Sequence, residues 1–236
     1  MKRKLFLFCI VAAVLAAAFC LLPEVAGSTS GQVPGDVLMA TGPAFAALKW
    51  PVGRNNMGGF KGYLIFVPAD APSAVPELPT WDEAADNDEL VTASGTFAFP
   101  AEGTVKAPLY LYSTDATVGY NVEAQGEPDG ISYRQTLTAF FPGNMKEAHA
   151  FAALVKNTPG YYIFEDSDGQ QMMIGQKGMP ASTSVAFAGG QARADRRGHT
   201  FTITADSNYS AVFLETPIDV DAVKDGSWSS SPGVGG

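Results

Sequence analysis

The residues able to do chemistry are few and scattered. His149 and His199 are the only imidazoles, and both cysteines, Cys9 and Cys20, lie in the first apolar run. A site built from histidines alone is therefore out of reach within one chain, and a thiolate metal centre has no donors after Cys20. Glycoside hydrolysis needs two acids facing each other across a cleft. The carboxylates here come in two local runs, Asp82, Glu83, Asp86, Asp88 and Glu89, then Glu165, Asp166 and Asp168. Neighbours on one turn rarely face each other over a substrate, so a solvated loop and a polar hairpin are predicted. A calcium loop at Asp166 to Gly169 lacks the bidentate Glu that completes such sites. No Gly-x-Ser-x-Gly elbow, phosphate loop or dinucleotide fingerprint occurs. The expectation is a protein without catalytic residues, metal or cofactor.

One basic cluster stands out on an acidic chain: Arg193, Arg196, Arg197 and His199. Arginines make forked bonds to carboxylates, so Arg193, Arg196 and Arg197 are candidate subunit-interface residues, against the reading as an ordinary solvated loop. Asn208-Tyr209-Ser210 matches a glycosylation sequon, a short motif that chance often supplies.

The elements that would hold these residues begin after an unusual first segment. Lys2, Arg3 and Lys4 precede an uncharged run from Leu5 to Leu22, and Val25-Ala26-Gly27 offers small residues before Ser28. Residues 1–27 read as a secretory signal cleaved between Gly27 and Ser28, or as an uncleaved anchor, since eighteen apolar residues just reach spanning length. A start at Met39 would remove the segment altogether. Loss of Lys2, Arg3, Lys4 and Glu24 takes 15 basic and 24 acidic residues to 12 and 23, moving the net charge from −9 to −11. Such a surface repels phosphates, which argues against sequence-specific nucleic acid binding.

Residues 28–57 are rich in Gly, Pro and small side chains and predict an extended arm. Residues 58–217 carry short apolar runs punctuated by turns, and the 46% hydrophobic content exceeds what a disordered chain holds. Strands are predicted over 61–67, 96–99, 105–112, 118–124, 131–141, 161–165, 171–175, 183–188, 200–205 and 211–216. The period of two over Ile131 to Phe141 marks a half-buried antiparallel strand. One segment has helical spacing: Ala148, Phe151, Ala152 and Val155, with Asn144 and Glu147 placed as a capping box. A mainly β, antiparallel fold with one flanking α-helix over about 144–157 follows, ended by a flexible tail over 218–236.

Several motifs occur in a familiar order. Gly58-Gly59, Tyr63 to Pro68, Pro76 and Pro79 come first; then Phe141-Pro142-Gly143, the helix, Asn157, Tyr161 to Asp166, Asp168-Gly169, Ile174-Gly175 and Pro180-Ala181. From Gly58 to Pro217 the chain resembles the major tail, or tail-tube, proteins of tailed bacteriophages infecting Bacteroidetes-like hosts. The resemblance implies a β-sandwich or barrel with a flanking helix. It also implies self-assembly into stacked rings with other virion tail proteins, in the virion tail, around a lumen through which DNA passes. The signal-like start departs from that pattern and supports an alternative, an exported β-sandwich at the surface, secreted or periplasmic. Such an adhesin or carbohydrate-binding protein would use Trp50, Trp81, Trp228, Tyr161 or Tyr162 as contacts.

Overall fold

The structure, a computed structural model, describes residues 47–48, 56–100, 102–105 and 107–229. The signal or anchor segment 1–27 with its Gly27/Ser28 junction, nearly all of the arm 28–57 including Trp50, and residues 230–236 lie outside the described residues.

Among the described residues, ten strands and two α-helices follow in order: β1 (Tyr63–Pro68), β2 (Thr92–Ala93), β3 (Leu109–Tyr112), β4 (Gly119–Gln125), β5 (Ser132–Pro142), α1 (Lys146–Val155), β6 (Gly160–Glu165), β7 (Gln171–Ile174), β8 (Ser182–Ala188), β9 (Gly198–Ser207), β10 (Phe213–Leu214) and α2 (Val220–Asp225). They form two sheets, one ordered β2-β10-β7-β6-β1-β3 and the other β4-β5-β9-β8. The fold is a β-sandwich with a flanking helix, mainly β as the residue pattern predicts.

Burial explains which sequence pattern each sheet carries. Every residue of β1, β6 and β7 is buried, because apolar material covers both faces of the larger sheet. One face meets the smaller sheet through Leu64, Phe66, Tyr162, Phe164 and Ile174, packed with Leu137, Phe201 and Ile203. The other face, with Ile65, Val67, Tyr161 and Ile163, is covered by Ala93, Phe97, Val212, Ile218 and Val223. Strands buried on both sides read as continuous apolar runs, which is the character of Tyr63 to Val67. The smaller sheet alternates instead. In β9 His199, Phe201, Ile203 and Ala205 are buried while Thr200 and Asp206 are exposed.

Close approach sets two glycines. Gly169 takes φ +92° in the β6–β7 hairpin, the backbone region that the Asp168-Gly169 pair predicts. A Cβ at Gly160 would fall 2.6 Å from the Val67 carbonyl oxygen and into the Phe66 ring, so β6 can enter the sheet only without a side chain there.

Several sequence expectations need correction. The helix spans Lys146–Val155, with Met145 at the N-cap and no side-chain cap bond. Asn144 does not cap it, because its Oδ1 meets His149 Nε2 at 2.7 Å. The 96–99 strand is a single bridge between Ala98 and Ala74, and 105–112 shortens to β3, which follows Pro108, a residue with no amide hydrogen for a ladder. The segment 211–216 keeps two strand residues.

The largest correction concerns 218–236. Its described part, 218–229, is not a flexible tail: Ile218 and Val223 are buried and Trp228 packs edge-on against Phe99 at 5.6 Å. Asp219 Oδ1 accepts the Ala222 amide at 3.1 Å, and Gly226 ends α2 in the left-handed region. A six-residue helix is too short to stand alone and holds through this cap and its buried face. Asp219→Ala is expected to lower stability by about 1 kcal/mol, read as a shift of the urea midpoint.

Candidate functional site

Among the described residues the smaller sheet has one face on the core and one bare. In register across it lie Asn121, Thr136, Thr204 and Ser182, then Gly119, Thr138, Thr202 and Ser184, then Phe140, Thr200 and Ala186. This is a hydroxyl-lined surface with little charge. At one end Arg134 Nε donates to Asp206 Oδ1 at 3.1 Å, and Gln125 Nε2 donates to the same oxygen at 2.9 Å. These bonds hold the Asp206 carboxyl below the ordinary aspartate range.

Among the described residues the sheet also ends in two open strands of seven residues, β4 and β8. Free strand edges present unpaired amide and carbonyl groups, and proteins usually blunt them with charge, proline or a bulge. β8, with the sequence STSVAFA, has neither a charge nor a proline. Its inward side chains are Thr183, whose Oγ1 lies 2.5 Å from the Tyr162 hydroxyl, Val185, packed on the core, and Phe187, 41% exposed.

The loop joining β8 to β9 carries the arginine cluster. Asp195 Oδ2 accepts the Gln191 and Ala192 amides at 2.7 and 2.8 Å, which orders the loop and holds the Asp195 carboxyl low. Arg196 stacks its guanidinium carbon 3.6 Å from the centre of the Phe140 ring on the bare face. Arg193 and Arg197 are exposed and make no ion pair among the described residues. The three arginines thus share one loop, but only Arg196 is anchored to the sheet.

Beneath this loop the two histidines meet, fifty residues apart in sequence. His199 is 1% exposed, at the rim of the inner face between Phe141 and Phe187. Its Nε2 lies 3.3 Å from Nδ1 of His149 on α1, whose own Nε2 reaches Asn144. His199 Nδ1 is buried without a partner among the described residues. Burial, then the neighbouring His149, pushes the His199 pKa below the ordinary histidine value. Neither residue suggested this meeting, but one signal was available. His199 falls in step with Phe201, Ile203 and Ala205, which places it on the inward face.

The carboxylates separate as their local geometry demands. Asp166 Oδ1 accepts the Gln170 amide at 2.7 Å within the hairpin. Glu165 is buried and takes hydrogen bonds from Lys61 Nζ and the Tyr63 hydroxyl. Burial first, then this bond to Glu165, raises the Tyr63 pKa far above the ordinary tyrosine value. Tertiary folding brings Asp219, Asp221 and Lys224 to the same cleft of about 420 Å³, a grouping that sequence spacing did not indicate. The donors Lys61 and Tyr63 occupy both Glu165 oxygens, and Asp219 is engaged as the cap of α2, which is the pattern of a satisfied structural network. In the acidic loop, Asp86 and Glu89 accept backbone amides, and Thr80 bonds hold the Glu83 carboxyl low. No group of three metal-binding side chains occurs among the described residues.

Of the proposed aromatic contacts, Tyr161 and Tyr162 are buried and Trp228 is packed on Phe99, while Trp81 is 46% exposed. Together the two sheets and the helices define a β-sandwich whose smaller sheet, among the described residues, is polar outside and unpaired at both ends. No family model, curated protein or solved structure matches the chain.

Proposed function

We propose that the chain is a non-enzymatic structural subunit that assembles with copies of itself, β8 of one copy pairing with β4 of the next. The observation that carries this reading is a pair of edges without a partner strand among the described residues, on a sheet that alternates direction throughout. Because β4, β5, β9 and β8 are successively antiparallel, a β4 laid beside β8 in the same orientation continues that alternation. A contact between two different surfaces repeats head to tail and closes into a ring when the rotation permits. The resemblance to phage tail-tube proteins points the same way and makes the protein a virion tail component whose rings stack with other tail proteins. The hydroxyl face, with its few charges mostly paired, then suits the wall of a bore along which DNA slides without sticking.

The basic and apolar start of the chain favours a second reading, an exported β-sandwich surface protein. N-terminal sequencing of the natural protein separates the two: a start at Ser28 means export, one at Met39 or Ala40 means assembly inside the cell. Size-exclusion chromatography with light scattering and negative-stain microscopy of the full chain test assembly directly. Rings or tubes are expected, and a single chain at high concentration overturns the proposal.

A further inference from the structure

The chain from Asn144 through His149 to His199 has one arrangement that satisfies most of its atoms. His199 Nε2–H donates to His149 Nδ1, and His149 Nε2–H donates to the Asn144 oxygen, leaving the buried His199 Nδ1 as a bare lone pair. An added proton breaks this order. On His199 it creates a buried N–H with no acceptor; on His149 it sets two N–H groups head on, unless His199 moves its own hydrogen to the buried Nδ1. An unsatisfied buried donor is costly, and the ring centres are only 4.4 Å apart.

Among the described residues, the charged groups around the pair offer no compensation. α1 contributes Lys146 and Glu147 in its first turn, and the β8–β9 loop contributes Arg193, Asp195, Arg196 and Arg197. Asp195 is committed to the loop amides, Arg196 to Phe140, and neither imidazole bonds a carboxylate among the described residues. β5 and β8 supply Phe141 and Phe187, and the Phe187 ring lies 4.8 Å from both imidazoles.

We propose that the Asn144–His149–His199 chain is an acid-released latch that, uncharged, holds α1 over the end of β8 and, on taking up a proton, frees the helix and loosens the edge through which copies associate. The second half of this inference rests on the assembly reading given above. The pH sign follows from the His199 shift. A histidine whose folded pKa is lowered contributes stability present above its unfolded value and lost as pH falls through the folded one.

The test is hydrogen exchange of the full chain from pH 8 to 4.5, corrected for intrinsic rates, with oligomer mass measured in parallel. Protection of the α1 amides is expected to fall by up to about tenfold per pH unit below the ordinary histidine range, while β6 protection stays level. His149→Gln and His199→Phe should each flatten that fall, the first on the exposed side in case the buried variant folds poorly. Level α1 protection in the parent across the whole range overturns the latch. Loosening of α1 with unchanged oligomer mass overturns only its coupling to the β8 edge. If the parent is a single chain at pH 8 yet α1 still loosens in acid, the latch stands and the assembly reading falls.

Discussion

Val185→Lys is expected to abolish self-association while leaving a folded single chain. Val185 is on the inward face of β8, partly buried against the core. In an isolated copy, a lysine on an edge strand can bend its stem round the free border and keep its ammonium in water. A strand of the next copy laid along β8 closes that route, and an unpaired buried charge costs several kcal/mol. Every ~1.4 kcal/mol is tenfold in affinity, so association should weaken by at least about 100-fold. Light scattering should then report the mass of one chain, 24.8 kDa for the full sequence. Ser184→Lys, on the bare outer face, serves as the contrast because its side chain reaches water with or without a neighbour in strand pairing. A Val185→Lys protein that assembles as well as its parent would refute edge pairing through β8.

Phe164→Ala should carry the largest cost to stability. Phe164 is fully buried in β6, and its ring centre is 5.3 Å from that of Phe60 and 5.0 Å from that of Tyr120. Tyr120 belongs to β4 and its hydroxyl donates to the Ser210 carbonyl, so this aromatic contact ties the two sheets together. Removing a fully buried Phe costs roughly 3–5 kcal/mol, from a total near 5–15 kcal/mol for a typical domain. With a urea slope of about 2 kcal/mol/M, the unfolding midpoint should drop by roughly 1.5–2.5 M. Leu154→Ala offers the comparison. Leu154 is 71% exposed on α1, and its loss should change stability by no more than about 0.5 kcal/mol. Equal effects at the two positions would contradict the core as described.

The strands that could be read from residue types are those whose faces differ or whose runs are wholly apolar. β5 alternates, β1 and β6 are continuous, and Asp168-Gly169 marks its turn; each signal is local and survives without knowledge of neighbours. β2 was not legible and β10 was read too long, as 211–216, since two residues bridging by register leave no periodicity to detect. α2 was missed for a related reason. Val220 to Asp225 has no long apolar stripe and owes its place to Ile218 and Val223 meeting the covered side of the larger sheet.

The same division holds for the candidate site. Residue types alone determined a mainly β chain with one amphipathic helix, an acidic balance, and an arginine cluster confined to one loop, because propensity, charge and spacing are properties of neighbours in sequence. Among the described residues, tertiary structure decided that β4 and β8 end a sheet, that the Thr and Ser side chains share one bare face, and that His149 meets His199. Those facts arise from strand order and packing between residues far apart, and the free energy that selects them is burial of surface shared by distant segments.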